Sequence, residues 1–189
     1  MKLDLGGGRN PKPGFINVDH RVGTDIVEDH MSVNCNLNYG LSCFDDNSVD
    51  EFYSSHCFEH VSPLNGLLAD IARVGKLGAP FELRVPHQLS DMAMCPGHKH
   101  VIGPTQVRHW TQDYVDDWFP GPRYLRLISR GAVPAQPQWN NWINHLNPGT
   151  LQDPMTLDFW ELSDIVPGIA HENILYLEVA PNSARKDFL

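Results

Sequence analysis

The sequence predicts an α/β protein built on an open, Rossmann-like sheet, and two observations predict it. The first is the run MKLDLGGGRNPKPGFINVDH over residues 1–20, where a short apolar strand, three glycines and a second strand ending in an acid follow one another. The second is the alternation further along, with a strand at Val49–Ser54, a helix at Pro63–Val74 and a strand at Ala79–Val85. Strand, helix, strand is the unit from which parallel sheets are wound.

The first strand, Lys2–Leu5, stops at Gly6, Gly7 and Gly8. Glycines there take backbone angles closed to other residues and let a ligand approach the main chain. Phe15–Asp19 is the second strand, and Asp19 at its carboxyl end is placed to accept hydrogen bonds from two ribose hydroxyls. A dinucleotide fingerprint opens a helix with its glycines. Pro11 and Pro13 leave no room for one, so the crossover is a tight loop and a ligand without a pyrophosphate suits it better than NAD.

Asp25-Ile26-Val27 reads as a third strand beside the second, and residues 34–47 as a polar loop whose Asp46-Asn47 turns the chain into Val49. In the helix, Leu64, Leu67, Leu68, Ile71 and Val74 form one apolar stripe, with Gly75 or Gly78 available to end it. Pro86 stops the strand that follows, and residues 87–103 make a connection long enough to suggest a function. Thr105 is expected to cap a helix through Phe119, whose Val107, Trp110, Tyr114 and Trp118 recur at helical spacing as packing residues. Tyr124–Ser129 and Ile174–Val179 read as strands. The Pro- and Trp-rich stretch between them, about residues 131–173, is too long for a plain hairpin loop and is expected to cover the active site or form an oligomer contact. Residues 183–189 read as a frayed tail.

With 189 residues, the chain suits a single domain with one substantial core. A net charge of −9 argues against duplex nucleic acid, which demands a basic face. No apolar run approaches the ~18 residues that span a bilayer, and neither a signal peptide nor C-x-x-C spacing among Cys35, Cys43, Cys57 and Cys95 is present. A cytosolic protein with reduced thiols and no membrane association is expected.

The run Leu3-Asp4-Leu5-Gly6-Gly7-Gly8 followed by Pro13-Gly14-Phe15-Ile16-Asn17-Val18-Asp19 resembles the opening of small class I S-adenosylmethionine-dependent methyltransferases of the type 11 kind. Asp46–Glu51 running into Ser54-Ser55-His56-Cys57-Phe58-Glu59-His60 is similar to the family's fourth strand and following turn, and Leu67–Pro86 to its next helix and strand. The likeness covers about residues 2–119. It implies a Rossmann-like sandwich whose mostly parallel sheet carries an antiparallel last strand, with S-adenosylmethionine as cofactor. It further implies that Asp4, Gly6, Gly7, Gly8 and Asp19 bind that cofactor, that Asp29 contacts the adenine, and that Ser55 lies at the methionine side.

Methyl transfer is a displacement, so the protein mainly aligns the reacting atoms and excludes water. A hydroxyl or amine acceptor also benefits from a base of near-neutral pKa, and His56 and His98 are the candidates. Glu59 and His60 fall on the same expected rim, with Glu59 as a local hydrogen-bonding partner. The acceptor is expected to be a small molecule or a sugar-like compound, and the protein is a possible homo-oligomer. Two other readings compete. His56-Cys57-Phe58-Glu59-His60 matches the H-x-x-E-H zinc-protease pattern, with His98 or His100 as a third ligand, but it follows a strand directly instead of lying in a long helix. No metal is therefore expected. The other is a non-catalytic protein that keeps the fold as a binding or assembly module.

Overall fold

The computed structural model describes residues 1–20, 31–135 and 170–182. Seven strands form one sheet: β1 (Lys2–Leu5), β2 (Ile16–Asp19), β3 (Ser32–Asn34), β4 (Glu51–Ser55), β5 (Pro80–Pro86), β6 (Arg123–Pro134) and β7 (Ala170–Pro181), in the order β3-β2-β1-β4-β5-β7-β6. Pairing is parallel from β3 through β5, while β7 runs antiparallel to both β5 and β6. The winding reverses between β1 and β4, where open sheets of this kind bind ligands outside the carboxyl ends of their strands.

The strands alternate, and the alternation sorts the sheet into two faces. Register places Leu3 opposite Phe52, Phe52 opposite Phe81 and Phe81 opposite Leu177, and all four belong to the single hydrophobic core. One residue along, Asp4, Tyr53, Glu82 and Tyr176 line up across the other face. Parallel strands covered on both sides are apolar at nearly every position. Here only one face is sealed among the described residues, and the opposite one carries charge: Lys12 Nζ lies 3.9 Å from the Tyr53 ring centroid, and Arg84 Nε donates to Glu82 Oε1 at 2.7 Å.

The helix α1 (Leu64–Val74) seals that face with the stripe Leu64, Leu67, Leu68, Ile71 and Val74, every one buried. It ends at Gly75, where the backbone turns extended, and only glycine fits there: a Cβ would lie 2.6 Å from Val179 Cγ2 and 2.9 Å from Phe52 Cε2. Arg73 ties the preceding loop down through Asp70, Asp46 and the carbonyls of Leu41 and Phe44.

Several expected boundaries change. The strand paired to β2 is Ser32–Asn34, whereas the expected Asp25–Val27 lies outside the described residues. A three-residue edge strand is too short to show any periodicity. The helix expected over Thr105–Phe119 is broken into α2 (Pro104–Arg108), one π turn (His109–Asp113) and α3 (Val115–Trp118). Thr111 Oγ1 donates to the Val107 carbonyl at 2.9 Å, the back-bonding that bends helices. The break leaves Trp110 fully buried and turns Tyr114 out to 51% exposure. Finally, β6 and β7 reach into the expected insertion as far as Pro134 and back to Ala170, and residues 136–169 and 183–189 lie outside the described set. No helix among the described residues is long and apolar enough to cross a membrane.

Candidate functional site

A cavity of about 760 Å³ opens at the carboxyl ends of β1, β2 and β4, within the ~300–1,000 Å³ range of small-molecule sites. Gly6 and Gly8 form one wall, with φ of +79° and +55°. The Gly6 N–H donates to the Val18 carbonyl at 2.9 Å, and the Gly8 N–H donates to Asp19 Oδ2 at 3.2 Å. Asn17 Nδ2 holds the Gly8 carbonyl at 3.2 Å from beneath. A Cβ on Gly7 would sit 2.5 Å from Asp4 Oδ2 and 2.8 Å from Asn17 Oδ1, so the loop lies flat on two buried polar side chains. The Asp4 carboxylate also accepts the Lys12 N–H at 2.7 Å and closes the tight crossover without a helix.

Of the expected cofactor residues, Gly6, Gly8 and Asp19 line this cavity. Asp4, Gly7 and Ser55 line a second one of about 570 Å³ on the charged face, and the two cavities share Gly6. Strand alternation is the reason Ser55 turns away: Ser54 takes the core side, donating to the Leu5 carbonyl at 2.7 Å. Asp29 lies outside the described residues. The wall after the third strand consists of Asn36, Leu37 and Asn38. Asn36 Oδ1 accepts the Asn38 N–H at 3.1 Å, and Asn38 Oδ1 accepts the Ser62 N–H at 2.7 Å. The alternating asparagines of this stretch were a readable turn signal, and the sequence reading passed over them as loop.

The opposite wall carries His56 and His60, in the stretch that follows β4. His56 has φ of +51°, unusual for a residue with a Cβ. That turn aims its ring between two carboxylates, with Nε2 3.0 Å from Glu172 Oε1 and Nδ1 3.4 Å from Glu59 Oε1. Glu172 lies 116 residues away on β7, and no local pattern announces the pair. His98 packs edge-on against His60 with ring centroids 4.6 Å apart, so His56, Glu59, His60 and His98 converge as the topology led one to expect.

The hydrogen bond to Glu172 and then that to Glu59 raise the His56 pKa from 6.5 to about 9, against the opposing effect of burial. Burial pushes Glu172 up, but the His56 hydrogen bond and the nearby Arg84 charge outweigh it and hold that carboxyl below its ordinary value. A raised imidazole pKa means that the bound proton favours the folded state. This contribution is complete below pH 6.5 and is lost as pH rises through about 9. Titration of the chelator-treated protein followed by histidine NMR should place the His56 midpoint near 9. Glu172→Gln should move it down toward 6.5, whereas a wild-type midpoint already at 6.5 would contradict the ion pair.

No family model matches the sequence, and no curated protein matches it either. Solved structures do match in fold. YcgJ of Bacillus subtilis superposes with a TM-score of 0.58 at 16% identity, over 96% of this chain and 92% of that one. An S-adenosylmethionine-dependent methyltransferase of Archaeoglobus fulgidus matches with a TM-score of 0.56 at 15% identity, over 94% and 85% of the two chains. A Haloferax volcanii methyltransferase solved with the Trm112 methyltransferase activator gives 0.54 at 17%, over 96% and 82%. With this strand order, the antiparallel β7 and these matches, the chain is a small protein of the class I S-adenosylmethionine-dependent methyltransferase fold.

Proposed function

We propose that the protein binds S-adenosylmethionine in the Gly6–Asp19 cavity and transfers its methyl group to a small-molecule or sugar-like acceptor. The observation that carries this reading is the loop itself: two glycines at positive φ beside a cavity, a third with no room for a Cβ, and the Asp19 carboxylate at the mouth. Gly6, Gly8 and Asp19 would hold the adenosine part, and Asn36 and Asn38 would flank its base. When bound, the cofactor supplies a methyl group on a positively charged sulfur.

The chain's own work is alignment and exclusion of water. His56 lines the cavity where the acceptor would lie, and His98 stands behind its neighbour His60. Both ring nitrogens of His56 already face carboxylates, which suits it to ordering this wall of the cavity more than to removing a proton from the acceptor. The same reading places the reaction in the cytosol, in keeping with four unpaired cysteines.

Calorimetric titration with S-adenosylmethionine and its demethylated product tests the assignment. Asp19→Ala should weaken binding by ~1.5–3 kcal/mol, the loss associated with hydrogen bonds to a charged group. That corresponds to roughly tenfold or more in Kd. Asp19→Asn keeps an oxygen for the Gly8 N–H and separates loop support from the carboxylate charge. An unchanged Kd in both variants would remove Asp19 from the site, and wild-type protein that binds neither ligand would refute the reading.

A further inference from the structure

We propose that Glu59, His60 and His98 form a binding site for one divalent transition-metal ion of the zinc type, at the edge of the large cavity. One ligand atom from each residue lies within 4.8 Å of the other two. Glu59 and His60 stand on the short 3₁₀ turn after β4 (Phe58–His60), and His98 on the long connection after β5.

The two segments are fastened together by bonds that leave the ligand atoms free. The Lys99 and His100 N–H groups donate to the Glu59 carbonyl at 2.6 and 3.2 Å, and His100 Nε2 donates to the Val61 carbonyl at 2.8 Å. His60 Nδ1 lies 3.1 Å from the Gly97 carbonyl. A carbonyl only accepts, so this nitrogen carries the proton and Nε2 is left with its lone pair. Metal-bound histidines are oriented in this way, by a backbone carbonyl on the far nitrogen.

The buried groups of the cluster lack what an ordinary protein interior would give them. Glu59 is 1% exposed, yet among the described residues its Oε2 accepts no hydrogen bond, and Oε1 has only His56 Nδ1 at 3.4 Å. His98 Nδ1 is buried and likewise has no partner among the described residues. Buried charge is normally paired, hydrogen-bonded or bound to metal. A cation between Glu59, His60 and His98 would satisfy both orphaned groups at once.

Two imidazoles and one carboxylate suit zinc and its first-row neighbours, whereas magnesium and calcium prefer oxygen ligands throughout. Ligands ~2.1 Å from a tetrahedral zinc lie about 3.4 Å apart. Binding therefore requires the ligand atoms, now within 4.8 Å of one another, to draw closer, and His60 is the exposed member of the three. His60 lines the cavity, so the ion would sit beside it. The arrangement differs from the zinc-protease pattern. Glu59 becomes a ligand, His98 replaces His56, and His56 is engaged by Glu172. The site stands whether or not the cavity takes S-adenosylmethionine.

The test is to strip the full-length protein with a chelator and titrate it with Co²⁺, followed by Zn²⁺ competition. One equivalent of Co²⁺ should produce visible absorption bands without a sulfur-to-metal charge-transfer band, and Zn²⁺ should displace it. His60→Ala and His98→Ala should each weaken binding at least about tenfold. Glu59→Gln, which keeps the shape, should do the same, and His109→Ala outside the cluster should change nothing. No cobalt spectrum, a thiolate spectrum, or affinity indifferent to His60 and His98 would overturn the proposal. Binding of S-adenosylmethionine to the stripped protein is measured separately, so either reading fails without the other.

Discussion

Phe81→Ala is expected to lower the stability of the fold by about 3–5 kcal/mol, the cost of emptying a large buried aromatic site. Phe81 is 1% exposed near the start of β5, with its ring 5.9 Å from that of Phe52 and 5.6 Å from that of Phe58. Neither neighbour has an easy route into the space. Phe52 is held in β4, and Phe58 begins the turn that carries Glu59 and His60. In thermal unfolding the loss corresponds to a Tm lowered by on the order of 10 °C. Should the variant fail to fold, Phe81→Leu retains most of the volume and is expected to cost far less, so the ordering of the two tests the packing argument. A Phe81→Ala protein as stable as wild type would mean that the two rings do not depend on the third. Because Phe58 loses a support, ligands of the large cavity should also bind more weakly to Phe81→Ala.

Gly6→Ala combines a backbone cost with a clash, and the two together are expected to reach roughly 2–5 kcal/mol. At φ of +79° an alanine is disfavoured even in open space, and its Cβ would lie 2.6 Å from Cys57 Cβ and closer still to Cys57 Sγ. The loop must lift, which separates the Gly8 N–H from Asp19 and distorts the wall between the two cavities. Binding of S-adenosylmethionine should fall below detection while far-UV circular dichroism remains native. Adding Cys57→Gly to Gly6→Ala removes both clashing atoms and should return the steric share but not the backbone share. Gly8→Ala offers a comparison, since φ there is +55° but no atom lies within 4 Å of the added Cβ. If Gly6→Ala and Gly8→Ala prove equally mild, close packing against Cys57 is not what fixes the loop.

The fold was legible because its signals are local. The glycine run, the stripe from Leu64 to Val74 and the strand at Phe81–Val85 each announce themselves within a dozen residues or fewer, and the observed elements fall within a few residues of them. The alternation in Glu51–Ser55 and Pro80–Pro86 was equally visible, and it sorts these strands into a core face and a polar face. What stayed hidden depends on distant partners or on subtle backbone changes. The third strand lacks the length to show a period, and the π turn at His109–Asp113 follows a helical pattern that runs straight through it. At the site, the expected fold brought His56 and His98 to one rim, but it offered no way to see that Glu172 takes the His56 ring or that Glu59 lies buried. Strand parity sets Ser55 on the face of the second cavity and Ser54 on the core side, and a shift of one position exchanges the two.

The charged outer face of the sheet bears on how such a chain diverges. Where both faces are packed, nearly every strand position answers to a core and drifts slowly. In β4 and β5, Tyr53, Ser55, Glu82 and Arg84 are half-buried and, among the described residues, meet polar partners such as Lys12 and Glu172, whereas their alternate neighbours are constrained by core volume. Half of each central strand is thus open to exchange among polar residues at little cost. Descendants of one ancestor can then keep the same seven-strand order while retaining few identities in the strands that compose it.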